Sequence, residues 1–306
     1  MIRPKKSERI KYHVDYALDN DFSAYARLLQ SKWREEKGYP IDTVRKYGNF
    51  IDLTFARETK ANFLTDNIRK LVTLEIAEGK KEKALISEPR IWNNLLSSQP
   101  LCFNLFGELK LNYDLATHLF SNLFPDRIGQ VTEIKFEYSP CRGNASYTDD
   151  HSAFDVFVEY SQNNRRGFMG IEVKYAESLR EESKEKAEKN FKERYIELYN
   201  QSGKFKPKSI DQLKLPPLSQ IWRDHLLAIA TEIDYDEGCF LFIYPSNNSY
   251  CHKGVSEYKA LLNTDNEKIS GFYSRYLEDF IFALKEISNA EWIVELEKRY
   301  LGNELL

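Results

Sequence analysis

Asp155, Glu172 and Lys174 are the residues of this chain whose types and spacing could do chemistry. They lie in the stretch FDVFVEYSQNNRRGFMGIEVKY, residues 154–175. Its first part, Phe154 to Tyr160, is rich in β-branched and aromatic residues and reads as a strand. Its last part, Phe168 to Tyr175, alternates: Met169, Ile171, Val173 and Tyr175 share one parity, Glu172 and Lys174 the other. Between them Ser161 to Gly167 holds Asn163, Asn164 and Gly167, residue types that tolerate turn geometry. Successive strand side chains point to opposite faces, so Glu172 and Lys174 project together, roughly 7 Å apart along the strand. If the hairpin pairs antiparallel, Asp155 comes near Glu172. Two carboxylates and an ammonium on an otherwise apolar sheet surface are costly to bury unless a metal or a partner neutralises them. The plainer alternative is an edge hairpin with a solvated ion pair, since 47 acidic residues let such a string arise by chance.

The pattern Asp155, then Glu172-Val173-Lys174 on the next strand, resembles the PD-(D/E)XK nuclease superfamily, with its restriction-endonuclease-like fold. The resemblance implies that Asp155 and Glu172 hold a divalent metal, Mg²⁺ or Mn²⁺, and that the backbone carbonyl of Val173 adds a ligand. It implies that Lys174 positions or activates the attacking water. Phe154 stands where the motif has its proline. In the resembled fold a helix before the first strand carries a glutamate that completes the metal site. Glu108, inside an apolar stretch, is the candidate for that role, with Asp114 and Glu88 as alternatives and a structural role equally open. Branches of the superfamily also carry a helical Gln or Lys beside the metal, and Gln220-Ile221-Trp222-Arg223 looks like such an element, an ordinary amphipathic helix being equally open.

The elements that must position these residues follow from periodicity and punctuation. Ser97-Ser98 shortly before Pro100 marks a helix start, and Gly107 is expected to weaken or bend that helix. A second run, Asp114 to Phe124, stops at Pro125. From Val131 to Tyr138 the chain alternates, Ile134, Phe136 and Tyr138 against Glu133, Lys135 and Glu137, as a half-buried strand does. Leu179 to Tyr199 reads as a charged, solvated helix. Leu218 to Ile233 is helical, with Gln220, Arg223 and Asp224 at spacings that share one face. Cys239 to Tyr244 is a continuous apolar run, as in a strand covered on both sides. Around these sit further candidate contacts to nucleic acid: Arg223 on the helix, His151 in the loop before Asp155, and Lys204 and Lys206 flanking Phe205 in a basic loop.

The order gives an α/β (α+β) reading: a restriction-endonuclease-like α-β-β-β-α-β core with N-terminal and C-terminal helical additions. The expected organisation is a helical N-terminal segment over residues 1–90, a nuclease-like core over 91–250 and a helical cover over 251–306, including a helix from Gly271 to Ile287. A net charge of −3 gives no global basic field, so any nucleic-acid surface is local. Four cysteines without a CxxC pair suit reduced, buried thiols in a cytoplasmic protein, and no run approaches membrane-spanning length. The expected function is metal-dependent hydrolysis of phosphodiester bonds in nucleic acid, DNA before RNA, by an endonuclease or exonuclease; a homodimer is compatible with this. The rival is a nuclease-fold protein that binds nucleic acid or a protein partner without cutting. An acid/base carboxylate pair, as in glycoside hydrolysis, is a third reading, against which the adjacent lysine counts.

Overall fold

The computed structural model describes residues 2–82, 86–125, 127–179 and 183–302. Its central hairpin is tighter than the sequence suggests. β2 (Phe154–Gln162) and β3 (Arg165–Val173) are joined by Asn163 and Asn164 alone. Both asparagines have positive φ, 52° and 62°, the conformation that a two-residue hairpin turn of type I′ demands and asparagine tolerates. Arg165 and Arg166 are thus part of the strand yet exposed, so hydrophobic alternation could not mark them.

β1 (Gln130–Tyr138) pairs antiparallel with β2. β4 (Glu237–Tyr244) lies parallel to β3, and β5 (Phe272–Tyr276) parallel to β4, giving a five-stranded mixed sheet in sequence order. Both faces are covered, which is why β4 is apolar and buried from Gly238 to Tyr244. On one face Met169, Ile171, Val173, Leu241 and Ile243 pack with the helices Ser98–Leu111 and Tyr113–Leu123. The N-terminal segment contributes Phe22, Trp33, Phe63 and Ile68 to the same core, and the last helix, Glu291–Tyr300, adds Ile293 and Leu296. On the other face Phe157, Phe168, Phe240 and Phe242 pack with Ile221 and Leu226 of the helix Ser219–Thr231.

Several expectations change in detail. The helix through Gly107 is continuous from Ser98 to Leu111, and the glycine has a packing role: a Cβ there would stand 2.9 Å from Ile68, so it admits the neighbouring helix Asp66–Glu82. The segment after Gly271 forms β5 before its helix begins at Leu277. Five residues of strand were hidden by the stronger helical pattern that follows. The charged stretch after Leu179 makes two helices, Lys184–Asn190 and Glu193–Ser202, while residues 180–182 lie outside the described residues. In β1 the alternation fails at its end. Glu137 takes φ 48°, and Tyr138 turns to pack against Phe157, 4.7 Å away between ring centroids, on the face opposite Ile134 and Phe136. The four cysteines are free; Cys141 is exposed and the other three buried. Among the described residues no helix is long and apolar enough to cross a membrane.

Candidate active site

The parallel pairing of β3 and β4 brings their carboxyl ends to one edge of the sheet, and there the chemistry collects. The register that pairs Val156 with Ile171 sets Asp155 against Glu172. Asp155 Oδ2 accepts a 2.8 Å hydrogen bond from the Val173 amide, which fixes its carboxylate over the strand carrying Glu172. Glu172 is buried, and its Oε1 takes two partners: Lys174 Nζ at 2.6 Å and Gln220 Nε2 at 2.7 Å. Lys174 in turn is held to β4 by its amide, which donates to the Ile243 carbonyl at 2.8 Å. The structure therefore brings Asp155, Glu172, Lys174 and Gln220 together.

Burial and the neighbouring Glu172 and Glu137 push the Asp155 carboxyl well above its ordinary range, with Lys174 and the Val173 amide opposing. Burial works against the Lys174 ammonium, but Glu172, Asp155 and Glu177 outweigh it and hold its pKa above the ordinary lysine value. The surrounding carboxylates thus hold Lys174 in its protonated form at neutral pH.

Two further carboxylates join from outside the motif, at Glu137 and Glu177, with Asp224 behind them. Glu137, at the kink ending β1, accepts a short hydrogen bond from Gln99 near the start of the helix Ser98–Leu111. Burial and Glu172 push its carboxyl up to about 7, against Gln99, Arg142 and Arg90. Glu177 spans the Tyr175 amide and the Ser98 amide, 2.8 and 2.7 Å away. Asp224, one turn after Gln220, is buried with no partner on Oδ2 among the described residues, and burial and Glu172 raise its carboxyl well above the usual range. Such a gathering of acids needs cations. Asp155 Oδ1 and Glu172 Oε2 receive no hydrogen bond from the described residues. Oxygen donors of this kind suit a hard divalent ion, which takes one or two carboxylates and keeps several waters. Among the described residues no three His, Cys, Asp or Glu side chains are gathered closely enough to hold an ion unaided.

The sequence model of the PD-(D/E)XK nuclease superfamily matches residues 17–302. The chain belongs to that superfamily. No curated protein and no solved structure matches it. Within this PD-(D/E)XK protein the α-β-β-β-α-β order stands, extended by a fifth strand and flanking helices.

The other residues read from the sequence are placed elsewhere. Glu108 lies far along its helix from Gln99, roughly 13 Å by helical rise, and bonds Thr65 Oγ1 at 2.5 Å and Asn67 Nδ2 at 3.4 Å. It anchors the neighbouring helix, and the polar group this helix offers to the site is Gln99. Lys204 pairs with Glu232, beyond the far end of the Gln220 helix, and Lys206 donates to the Ala260 carbonyl. Their loop lies where β4 begins, at the edge opposite the site, as the approach of Lys204 Nζ to Gly271 shows. His151 is exposed beside Gly143. Arg223 is half-buried next to Asp224, whose charge it opposes. Besides Lys174 and Arg223, the carboxylates feel Arg90 and Arg142, which sequence reading passed over. Nothing in their local sequence sets them apart, because the topology alone brings them in.

Proposed function

We propose that the chain is a metal-dependent hydrolase of phosphodiester bonds in nucleic acid, with DNA as its substrate. The observation that carries this is the single carboxylate oxygen of Glu172 shared by Lys174 and Gln220, with Asp155 across the hairpin, in a chain of a nuclease superfamily. Asp155 and Glu172, with the Val173 carbonyl, would hold Mg²⁺ or Mn²⁺, which supplies Lewis-acid stabilisation of phosphate charge and a more acidic water. The chain's own residues do the rest. Lys174 stays protonated and offers its charge to a phosphate oxygen or orients a water, because burial denies it other solvation. Gln220 keeps Glu172 turned, leaving Oε2 for the ion. Arg90, Arg142 and Arg223, whose charges act on Glu137 and Asp224, would meet the neighbouring phosphates, the task charge-assisted hydrogen bonds suit.

The test is incubation with plasmid, linear duplex and single-stranded DNA and with RNA, in Mg²⁺, Mn²⁺ or EDTA. Cleavage of DNA in either metal and none in EDTA is the expected result. Binding of nucleic acid without cleavage in either metal would make this a nuclease-fold binder instead. Gln220→Ala is expected to slow cleavage about tenfold, the kinetic equivalent of one charge-assisted hydrogen bond, and to lower the melting temperature only slightly, because Lys174 still pairs with Glu172 Oε1. Wild-type turnover in that variant would return Gln220 to a packing role.

A further inference from the structure

Beside the site, past the end of β3, lies a cavity of about 480 Å³. It shares Glu177 and Arg90 with the carboxylate cluster: Glu177 acts on Lys174, Arg90 acts on Glu137, and the two side chains stand 4.0 Å apart. The rest of the lining comes from the N-terminal segment, from Asn94, Leu96 and Ser97 after the short helix Arg90–Asn93, and from Ala176. Its aromatic faces are Tyr16, Tyr47 and Phe50; its polar wall includes Asn49, Asn94 and Ser97.

The cavity is a built structure. Asp19 grips Arg27 through both carboxylate oxygens, at 2.7 and 2.8 Å, and Arg27 donates to Asn49 Oδ1 at 2.9 Å. The guanidinium so fixed lies 4.9 Å from the Tyr16 ring centroid and 5.9 Å from that of Tyr47, whose rings meet edge to face. Arg45 lies over Phe50 at 4.5 Å and makes no ion pair among the described residues. Arg90 Nε donates to Ser97 Oγ at 2.8 Å. Aromatic rings, the half-buried Asn94 amide and guanidiniums at the rim together match one ligand chemistry: a nucleobase with its flanking phosphate. The volume lies within the range of small-molecule sites. A base still paired and stacked in a duplex cannot enter such a recess; one that has left the stack can.

We infer that this cavity receives an unpaired nucleotide of the strand being cut, so that the substrate class is single-stranded or locally unpaired DNA. The inference rests on the hydrolase reading for the identity of the strand, and is tested apart from it. Binding of a labelled short single strand and of its blunt duplex is measured by fluorescence anisotropy with the full chain in EDTA, where cleavage plays no part. Tyr47→Ala is expected to weaken single-strand binding by about 5- to 150-fold, the range for one lost base–aromatic stack, and to move duplex binding by less than about twofold. Tyr47→Phe keeps the ring and is expected to keep the affinity. Should Tyr47→Ala fail to fold, Arg45→Ala, at an exposed position, serves instead; it is expected to weaken single-strand binding and flatten its salt dependence by about 0.7 in log–log slope. Unchanged single-strand affinity, or equal losses on both substrates, overturns the assignment. So does a mononucleotide that binds while the oligonucleotide ignores Tyr47. An inactive protein with a Tyr47-dependent preference for single strands would remove the hydrolase reading and leave the cavity standing. An EDTA-sensitive nuclease indifferent to Tyr47 would do the reverse.

Discussion

Lys174→Met is expected to lower DNA cleavage by roughly 10²-fold or more, the scale for losing one preorganised charge in an enclosed site. The methionine keeps most of the apolar stem and deletes the ammonium that meets Glu172 Oε1 at 2.6 Å. Asp155 and Glu172 remain, so divalent metal and DNA are expected to bind still. The same change strands a buried carboxylate. Breaking a buried ion pair costs about 3–5 kcal/mol, less here by what Gln220 still gives Glu172, so the variant is expected to melt lower in EDTA. The pH dependence has a definite sign. A lysine held above its ordinary value contributes stability that is complete below about pH 10 and is lost as the pH rises through the folded value. Between about pH 6 and 9 neither the rate nor the melting temperature should therefore show a Lys174 titration. A Lys174→Met protein as active and as stable as the wild type would leave the motif a coincidence.

Arg299→Met is expected to destabilise the fold by about 3–5 kcal/mol, the scale for stranding two buried acceptors, or roughly 5–8 °C for a chain of this length. Arg299 is fully buried and has no carboxylate partner among the described residues. Its guanidinium is satisfied by neutral acceptors: Gln30 Oε1 at 3.1 Å, the Asn62 carbonyl at 2.7 Å and Asn62 Oδ1. It also lies 4.2 Å from the Trp33 ring centroid and 4.8 Å from that of Tyr300. Methionine fills part of the volume and leaves Gln30 Oε1 and Asn62 Oδ1 without a donor, each costing about 1–3 kcal/mol if no water enters, while the Asn62 carbonyl keeps Asn104 Nδ2 at 3.1 Å. An unchanged melting temperature would show that the pocket rehydrates or repacks at no cost.

What could be read from the sequence was what local periodicity encodes. Glu172 and Lys174 declared themselves because a strand alternates strictly and two charges share its polar parity. Gln220 was legible because its polar neighbours share a helical face. Glu137 was not. It stood in a regular polar parity with Glu133 and Lys135, and only its positive φ turns it toward Gln99 and the carboxylates. The choice of Glu108 failed to foresee which end of the helix meets the sheet edge. Packing decides that, through the close approach Gly107 allows to Ile68. Lys204 and Lys206 looked suited to phosphate by composition, yet parallel pairing sends the start of β4, and their loop with it, to the opposite edge. Arg90, Arg142 and the Tyr47 cavity belong to contacts between distant segments, which no short window of sequence contains.

The bonds around Arg299 also bear on the order of assembly. Gln30 Nε2 donates both to the Tyr175 hydroxyl, at 3.2 Å, and to the Arg299 carbonyl, at 2.7 Å, and the Tyr175 hydroxyl donates to the Tyr300 carbonyl. Tyr175 directly follows Lys174. The support behind the reactive strand thus closes between partners as far as 269 positions apart, and long-range closures of this kind come late and slow folding. During synthesis the motif emerges well before the helix that completes its backing. A nascent chain that has made Asp155, Glu172, Lys174 and Gln220 still lacks this brace, so the site is expected to reach its final geometry only once the helix Glu291–Tyr300 has been made.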